Sequence, residues 1–481
     1  MHRLPENLYE IVKNERLSDM KSGRFDSLYL LACLVSLLLF LPSYLFSQTI
    51  DPFAQRRESV RAKIGSAVAI IPSEHKGATG NRASKNFYYL TGRAEQKAVL
   101  ILTPLDGQQE ILFSSPQQRE KKDTGSYFES RPLDQLKSFI FPLLYSKDTV
   151  YIPYGDIVVI TDLLGSPGIF SDVQELQNID PIINEMRLFK SQDELSKLQQ
   201  AIDITATCLS EAFRAASPGM REIDLQTILH YTMNRLDGKE AFTQVASGPN
   251  STFIHFGATD RIMQAGDVIV FDFGAYFDEY VADISRTIPV RGRFTYEQRE
   301  IYNLVLRAQQ EGINRMKPES SYPQCEREVE NVLIEGLHRL GLVTDTSSNW
   351  QRKLYILHGF GHGIGLDVHD VYQHFQKKTV DEKLYMPGMV YTMEPGLYFP
   401  KDMLDSIPQH IKSLVQEDEF TSYAEKVKDV YMKYANIGVR IEDDVLITET
   451  GNKVLSAKVP KDINAIEKLM KEPSAHDSFG K

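Results

Sequence analysis

Two aspartates stand in neighbouring apolar segments of this sequence. Asp272 lies within the run VIVFDFG, and Asp283 follows eleven positions later in VADIS. An ionised carboxylate in a buried strand is costly unless it is paired or bound to a metal ion. Two adjacent carboxylates repel each other, and one stays protonated unless a cation lies between them. A tight pair of strands could place both aspartates side by side, either as hydrogen-bonded structural acids or as ligands of a shared cation.

Histidines cluster in a glycine-rich segment further along the chain. The sequence HGFGHGIGLDVHD contains His358, His362 and His369 beside Asp367 and Asp370. His358 and His362 have the four-residue spacing of a helical zinc pair, but the interleaved glycines disfavour a helix. Glycine instead permits close approach of the backbone to a ligand or to another strand. A single histidine of this kind is usually structural, whereas this clustering favours a binding site.

Two glutamates follow in apolar segments nearer the C-terminus. Glu394 precedes Pro395 at the end of an apolar run, in TMEPG, and Glu442 lies in GVRIEDD. Arg440 precedes Glu442 by two positions, and alternate residues of a strand share a face. The side chains of Arg440 and Glu442 are therefore predicted to point the same way.

Together these segments offer four acids and one histidine in apolar surroundings. This donor set suits Mn²⁺ and would also accept Co²⁺, Fe²⁺ or Zn²⁺. Four carboxylates can balance the charge of two divalent ions if some of them bridge. Such a pair lowers the pKa of a shared water, supplies a hydroxide nucleophile at neutral pH and polarises a carbonyl. The predicted chemistry is hydrolysis without a serine or cysteine nucleophile.

The elements that must position these residues indicate an α/β (α+β) fold in two parts. Residues 51–185 are predicted to form a smaller α/β domain without a catalytic motif, and residues 186–481 to form the catalytic domain. In the first part, short apolar runs bounded by turn signals predict strands, and two further segments predict helices. The strands are expected at 66–71, 98–102, 110–113 and 150–152, and the helices at 133–144 and 173–179.

In the second part, helices alternate with paired strands. Ser191 and Glu194 form a capping-box pattern at the start of a helix that is predicted to end near residue 216. Further helices are predicted at 223–236, 295–316 and 323–340, and strands at 268–273, 281–288, 388–393 and 439–447.

A polar segment, residues 401–436, interrupts this alternation. It is predicted to be a surface insertion between two strands, with helical spacing at 407–414 and 423–434. The insertion is interpreted either as a solvated helical excursion or as a dimer contact or lid.

The N-terminal segment 28–46 carries no charged residue and follows Lys21 and Arg24. Such a run suits a secretory signal peptide, which the helix-breaking Pro42 favours, or an uncleaved membrane anchor. Residues 1–47 are therefore predicted to be an N-terminal extension that contains one or the other. Both interpretations place the body of the protein outside the cytoplasm, either exported as a periplasmic or secreted protein or associated with the membrane.

Charge and cysteine content exclude several classes of function. The net charge of −11 argues against a nucleic-acid partner, because phosphate binding needs a basic face. The chain has 3 cysteines, and they form no CxxC pair and no disulfide framework. Cys208 and Cys325 are interpreted as small buried hydrophobic residues.

The joint occurrence of the motifs in this order resembles the pita-bread metallopeptidases, in particular the branch of aminopeptidase P and prolidase. The resemblance covers nearly all of residues 51–470 and is strongest at 244–295 and 358–455. It implies a creatinase-like non-catalytic domain followed by a pita-bread catalytic domain. The segment NFYYLTGRAEQKAVLIL (86–102) is similar to the family's N-terminal signature, and the tail 447–470 is more like aminopeptidase P than prolidase.

The resemblance implies a metal ligand at each matching position. Asp272 would chelate one ion, Asp283 and Glu442 would bridge two, and His362 and Glu394 would complete the shell of the other ion. Glu394 would also act as a general base and then as a general acid.

Four further residues match positions near the substrate. His255 matches a histidine that steadies the tetrahedral intermediate, and His369 matches one on the substrate side. His358 matches a histidine of the outer shell or a subsite, and Arg440 would order the neighbouring acids by charge-assisted bonds. One departure is Phe256, where aminopeptidase P relatives often have tyrosine.

The activity that the resemblance implies is hydrolysis of the Xaa-Pro bond, with release of the first residue from peptides that have proline second. A prolidase limited to Xaa-Pro dipeptides uses the same ligands and is the main alternative. A metal-free pita-bread binding module is a remote one, because such proteins lose the acids that are present here. The family also implies a homodimer or homotetramer, and its members usually have a shorter link where this chain has residues 401–436.

Overall fold

The computed structural model describes residues 51–475, with gaps at 78–79, 108, 116–128, 147, 166–167, 172 and 372–383. The apolar segment 28–46 lies outside these residues. None of the helices in the described part of the chain is long and apolar enough to cross a membrane.

The N-terminal part is built on one sheet with helices packed on it. Its helices are α1 (Pro52–Ile64), α2 (Lys85–Thr91), α3 (Leu136–Ser146) and α4 (Ile157–Leu164). Its strands are β1 (Val68–Pro72), β2 (Glu74–Gly77), β3 (Gly80–Ala83), β4 (Val99–Leu102), β5 (Glu110–Ser114), β6 (Glu129–Pro132), β7 (Thr149–Ile152) and β8 (Glu175–Asn178). Six strands form the sheet in the order β6-β5-β4-β1-β7-β8, and β2 and β3 form a separate hairpin.

The helix predicted at 173–179 is wrong, because this segment contains strand β8. Glu175 to Asn178 pair in parallel with Thr149 to Ile152 at the edge of the sheet. Val173 and Leu176 pack against the apolar cluster under the sheet. A short segment that finds both a backbone partner and a core contact at a sheet edge adopts the extended form whatever its local spacing suggests. The four predicted strands and the helix at 133–144 are confirmed to within a few residues.

The C-terminal part adds eight helices within the described residues. They are α5 (Asp180–Leu188), α6 (Gln192–Ala215), α7 (Glu222–Arg235), α8 (Tyr296–Arg315), α9 (Tyr322–Arg339), α10 (Asn349–Leu354), α11 (Glu417–Tyr431) and α12 (Ile463–Leu469). The capping box at the start of α6 is confirmed, since Ser191 Oγ accepts from the Glu194 N–H and Glu194 Oε2 accepts from the Ser191 N–H. The helices at 223–236, 295–316 and 323–340 are confirmed as α7, α8 and α9.

Antiparallel strands line the centre of this part. They are β9 (Lys239–Ser247), β10 (Val268–Phe277), β11 (Tyr280–Val281), β12 (Ile284–Pro289), β13 (Val390–Met393), β14 (Gly396–Phe399), β15 (Ile437–Arg440), β16 (Asp443–Ile447) and β17 (Asn452–Val454). Strand β10 pairs with β9 on one side and with β11 and β12 on the other. Strands β13, β16 and β17 form a second sheet, and β14 pairs with β15.

Two of the predicted strands are each interrupted at a predicted metal ligand. The predicted strand 281–288 is β11 and β12, with Asp283 between them, and the predicted strand 439–447 is β15 and β16, with Glu442 between them. The two breaks face each other, because the Glu442 N–H donates to the Ser285 carbonyl at 3.0 Å. Both carboxylates therefore lie where the backbone leaves regular sheet pairing.

The segment 401–436 leaves after β14 and returns at β15, as predicted for an insertion between two strands. Its helix is α11, whereas 407–414 contains only the 3₁₀ turn Gln409–Ile411, so the helical spacing there was misleading. One face of α11 is buried, with Tyr423 against Trp350 and Tyr431 against Tyr355. The segment is therefore amphipathic and covers the apolar core on one face.

Candidate metal centre

A tight hairpin brings the two aspartates into one region. Strand β10 ends at Phe277, and Asp278 and Glu279 both have positive φ (46° and 67°), as a two-residue hairpin turn of type I′ requires. On the returning side, Ser285 lies directly opposite Asp272 in the β10–β12 register. Asp283 precedes Ser285 by two positions, and Asp272 and Asp283 line the same cavity.

His362 is held with one ring nitrogen directed toward the acids. Its Nε2 lies 3.4 Å from Asp283 Oδ2, 3.5 Å from Glu394 Oε1 and 4.0 Å from Glu442 Oε1. Its Nδ1 lies 3.1 Å from the Gly363 carbonyl and donates to it as the N–H. That tautomer leaves the Nε2 lone pair free to bind a metal ion.

The glycines of segment 358–370 allow the close backbone approach that was predicted. No helix forms at 358–370. A Cβ at Gly361 would stand 2.3 Å from the Thr392 carbonyl oxygen on β13. The Thr392 N–H donates to the His362 carbonyl, and the Glu394 N–H donates to the Phe360 carbonyl. These bonds run along β13 and bring His362 and Glu394 to the same place.

Ser285 joins the acids to Arg440. Its Oγ lies 2.9 Å from Asp272 Oδ1 and 2.8 Å from Glu442 Oε2, and it accepts from Arg440 Nε at 2.9 Å. The Arg440 guanidinium also donates to Asp272 Oδ2 at 2.6 Å. Arg440 and Glu442 therefore do point the same way, as predicted, although the strand breaks between them.

Without metal ions, the carboxylates of this cluster repel one another. Burial first, and then the neighbouring Glu442 and Asp272 carboxylates, raise the pKa of Asp283 well above its usual range. Burial and Glu442 do the same to the pKa of Glu394. Burial and Asp272 raise the pKa of Glu442 to about 7. Burial and the nearby His369 lower the pKa of His362 to about 4, so that its ring is neutral at pH 7.

These features fit a metal ion. Asp283, His362 and Glu442 offer ligand atoms that all lie within 4.8 Å of one another, and the three residues are buried. Glu442 Oε1 is buried and accepts no hydrogen bond from the described residues. A buried carboxylate oxygen without a donor costs free energy that a cation would recover.

A second histidine lies beside this cluster and is held by a tyrosine. His358 Nδ1 lies 3.8 Å from Glu394 Oε2, and His358 Nε2 lies 2.7 Å from the Tyr398 hydroxyl. The same hydroxyl accepts from Arg440 at 2.9 Å. Burial and the Arg440 cation lower the pKa of His358 to about 4.

The remaining predicted site residues line the mouth of the cavity. It has a volume of about 530 Å³, and all nine predicted site residues contribute to its wall. His255 lies in the loop after β9 and is exposed, and His369 is exposed with its ring centroid 4.2 Å from that of His362. Phe256, the departure noted above, packs against Phe253. Ala241 and Phe242 add an apolar wall beside a bulge between β9 and β10.

The sequence prediction did not identify Ser285 and Tyr398. Ser285 stands two positions after Asp283, and Tyr398 stands four positions after Glu394, so each lies close in sequence to a predicted ligand. Neither residue type suggests metal chemistry by itself. The strand register, which puts Ser285 opposite Asp272, is the signal that could have found the first of them.

A buried cluster of carboxylates around one neutral imidazole, in a mixed α/β fold, defines a metal-dependent hydrolase as the class of protein. A family model described as "Metallopeptidase family M24" matches residues 196–449, and one described as "Aminopeptidase P, N-terminal domain" matches residues 53–123. The chain belongs to metallopeptidase family M24. The predicted order, with a pita-bread catalytic domain after a smaller N-terminal domain, is confirmed.

Xaa-Pro peptidases and solved aminopeptidase structures are similar to this chain. The Xaa-Pro aminopeptidase of Escherichia coli (strain K12) is 31% identical over 459 residues, which cover 87% of this chain and 97% of the relative. The Xaa-Pro dipeptidase of Mus musculus is 31% identical over 314 residues, which cover 61% and 62%. The solved structure of the Pseudomonas aeruginosa aminopeptidase PepP has a TM-score of 0.73 and 29% identity, and covers 87% of this chain and 97% of its own. Escherichia coli aminopeptidase P with the inhibitor Pro-Leu has a TM-score of 0.72 and 30% identity, with the same coverage.

Proposed function

We propose that this protein is an Xaa-Pro aminopeptidase, which releases the first residue from peptides that have proline in the second position. The observation that carries the proposal is the convergence of four carboxylates, buried at Asp283 and Glu442 and half-buried at Asp272 and Glu394, and one neutral imidazole on a single cavity. Near-complete coverage of an aminopeptidase relative, against partial coverage of a dipeptidase, favours this activity over that of a prolidase.

We propose that two divalent ions, Mn²⁺ in the first place, are bound here. Asp272, Asp283, His362, Glu394 and Glu442 would hold them, and Co²⁺, Zn²⁺ or Fe²⁺ would also suit this donor set. When bound, the ions would lower the pKa of a water molecule and polarise the scissile carbonyl. The negative charges of the four carboxylates would then be balanced.

The chain's own residues would bind the substrate and move the proton. Glu394 is partly exposed to the cavity, so that it can take a proton from the attacking water and return it to the leaving nitrogen. His255 and His369 stand at the mouth, where a donor can reach the developing oxyanion or the peptide. His358 is oriented by Tyr398, and Arg440 holds Asp272 in place.

Proline explains why a metal centre suits this substrate. The nitrogen of an Xaa-Pro bond carries no hydrogen, so a peptidase cannot use that N–H to hold the substrate. Activation of the carbonyl does not require this hydrogen. The preference for proline would then depend on the shape of the cavity beside His369 and the apolar wall of Ala241 and Phe242.

Substrate length distinguishes the aminopeptidase from a prolidase. Metal-free protein lacking residues 1–47 is supplied with Mn²⁺ and given Ala-Pro and Ala-Pro-Ala in parallel. Release of alanine from the tripeptide supports the proposal. Cleavage of the dipeptide alone identifies a prolidase, and cleavage of neither peptide with any divalent ion favours a binding protein.

We also propose, from the family resemblance and the character of residues 28–46, that the protein is exported or anchored and assembles as a homodimer or homotetramer. Cell fractionation and light scattering test these two points separately.

A further inference from the structure

Buried ion pairs fasten the loop that carries His369. Asp370 is 2% exposed, accepts from Arg187 at 2.5 Å and from Lys190 at 3.2 Å, and its N–H donates to the Gly363 carbonyl. Burial alone would raise the pKa of Asp370, but the Arg187 and Lys190 cations hold it below its usual value. The carboxylate is therefore a charged anchor inside the protein.

Arg187 is the centre of this anchor. Besides Asp370, its guanidinium donates to Asp367 Oδ2 at 2.7 Å and to Asn86 Oδ1 at 2.8 Å. Arg187 lies in α5, Asn86 lies in α2 of the N-terminal part, and the aspartates flank His369. One buried side chain, 5% exposed, thus connects three segments that are far apart in sequence.

Close contacts around Asp370 restrict the backbone conformation of the loop that carries His369. A Cβ at Gly365 would stand 2.2 Å from Asp370 Oδ2, and the Gly365 carbonyl accepts from the Val281 N–H beside the Asp283 segment. His369 itself is exposed, and its ring packs against the ring of His362. The position of an exposed ring depends on the backbone that carries it, so this position depends on the two flanking aspartates.

We propose that Arg187 is a positioning residue that sets the place of His369 against the metal centre, by holding Asp367 and Asp370. Its kinetic consequence rests on the proposed function, in which His369 contacts the peptide. A side chain whose effect passes through His369 loses that effect when His369 is absent. A side chain that only supports the fold has the same effect whether His369 is present or absent.

A double-mutant cycle on Ala-Pro-Ala hydrolysis tests this, because it isolates the coupling of two residues. Arg187→Met is expected to lower kcat/KM at least about tenfold in the otherwise unchanged protein. In the His369→Ala background the same change is expected to cost less than about threefold. Equal losses in both backgrounds would overturn the proposal.

A matched control separates positioning from general destabilisation. Arg57 is likewise a buried arginine, it lies in the N-terminal part, and it pairs with Glu110 at 2.6 Å. Arg57→Met is expected to lower the melting temperature as Arg187→Met does, but to leave kcat/KM within about twofold. If Arg187→Met does not fold, Asp367→Asn replaces it in the cycle, because this side chain is 44% exposed.

A spectroscopic readout keeps the test independent of activity. In metal-free protein with ¹³C-labelled histidine, the His369 ring resonance is assigned by its loss in His369→Ala. Arg187→Met is expected to shift or broaden this resonance and to leave that of the remote His410 unchanged. An unmoved His369 signal contradicts the proposal even if the wild-type protein cleaves no Xaa-Pro peptide, and absence of such cleavage alone counts against the proposed function only.

Discussion

Glu442→Gln should stabilise the metal-free protein at pH 8 while it weakens metal binding. Burial and the Asp272 charge raise the pKa of Glu442 to about 7 from 4.5. A group whose pKa is raised on folding stabilises the folded state fully below pH 4.5, and this contribution is lost as the pH rises through about 7. At pH 8 the folded protein must therefore hold an unfavourable charge, which glutamine removes.

The size of this stabilisation follows from the shift in the pKa of Glu442. Each pKa unit is worth about 1.4 kcal/mol, so a rise from 4.5 to about 7 corresponds to about 3 kcal/mol. At pH 5 the wild-type carboxyl is already protonated, and the substitution should then change the free energy of unfolding by less than about 1 kcal/mol. Glutamine also removes the repulsion that raises the pKa of Asp283 and Glu394, which adds to the gain in stability at pH 8.

Urea unfolding in EDTA measures this difference. The chain has 1 tryptophan, Trp350, which is buried in α10 and reports unfolding of the catalytic part by its fluorescence. Glu425→Gln, an exposed change on α11, is the matched control and should leave the free energy of unfolding unchanged at both pH values. Added Mn²⁺ should stabilise the wild type and stabilise Glu442→Gln far less. A Glu442→Gln protein that is less stable than the wild type at pH 8, or equally shifted at both pH values, would refute the reasoning.

Three other substitutions have distinct expected outcomes. Arg440→Met should lower the free energy of unfolding of the metal-free protein by about 3–5 kcal/mol, since Asp272 loses its buried partner; urea unfolding checks this. Tyr398→Phe should cost about 1–3 kcal/mol, because the hydroxyl shared by His358 and Arg440 disappears; calorimetry that finds no loss contradicts it. Glu394→Gln should lower kcat for Ala-Pro-Ala at least about a hundredfold at saturating Mn²⁺, and a mutant that retains more than a tenth of wild-type kcat rules out the proposed proton transfer.

Local chemistry predicted a cluster of acids and histidines, and the structure brings these side chains to one cavity, whereas their individual roles stay predictions from the family resemblance. Asp272 could be singled out because a charge within an apolar run needs a partner, and that reasoning requires no tertiary structure. The glycine-rich segment around His362 was interpreted correctly because glycine tolerates contacts that a Cβ would block, as at Gly361. Ser285 and Tyr398 carry no such local signal, since their function comes from register and packing.

Element boundaries near the site were less predictable. Glu442 lies in a break between β15 and β16, although its sequence is a continuous apolar run. The break arises because its N–H bonds Ser285 of a different sheet, and such long-range pairing is not visible in the sequence. Strand β8 was mistaken for a helix for the same reason, because its partner β7 decided its form. The position of α11 was also set by tertiary contacts, chiefly those of Tyr423 with Trp350.

Titration of Mn²⁺ into the metal-free protein, with bound metal and the rate of alanine release from Ala-Pro-Ala followed together, tests the central claim most directly. The metal-centre hypothesis predicts that two ions bind per chain, that hydrolysis rises with their occupancy, and that Asp283→Asn reduces both. Hydrolysis that does not depend on metal, or two bound ions that persist in Asp283→Asn, would contradict it.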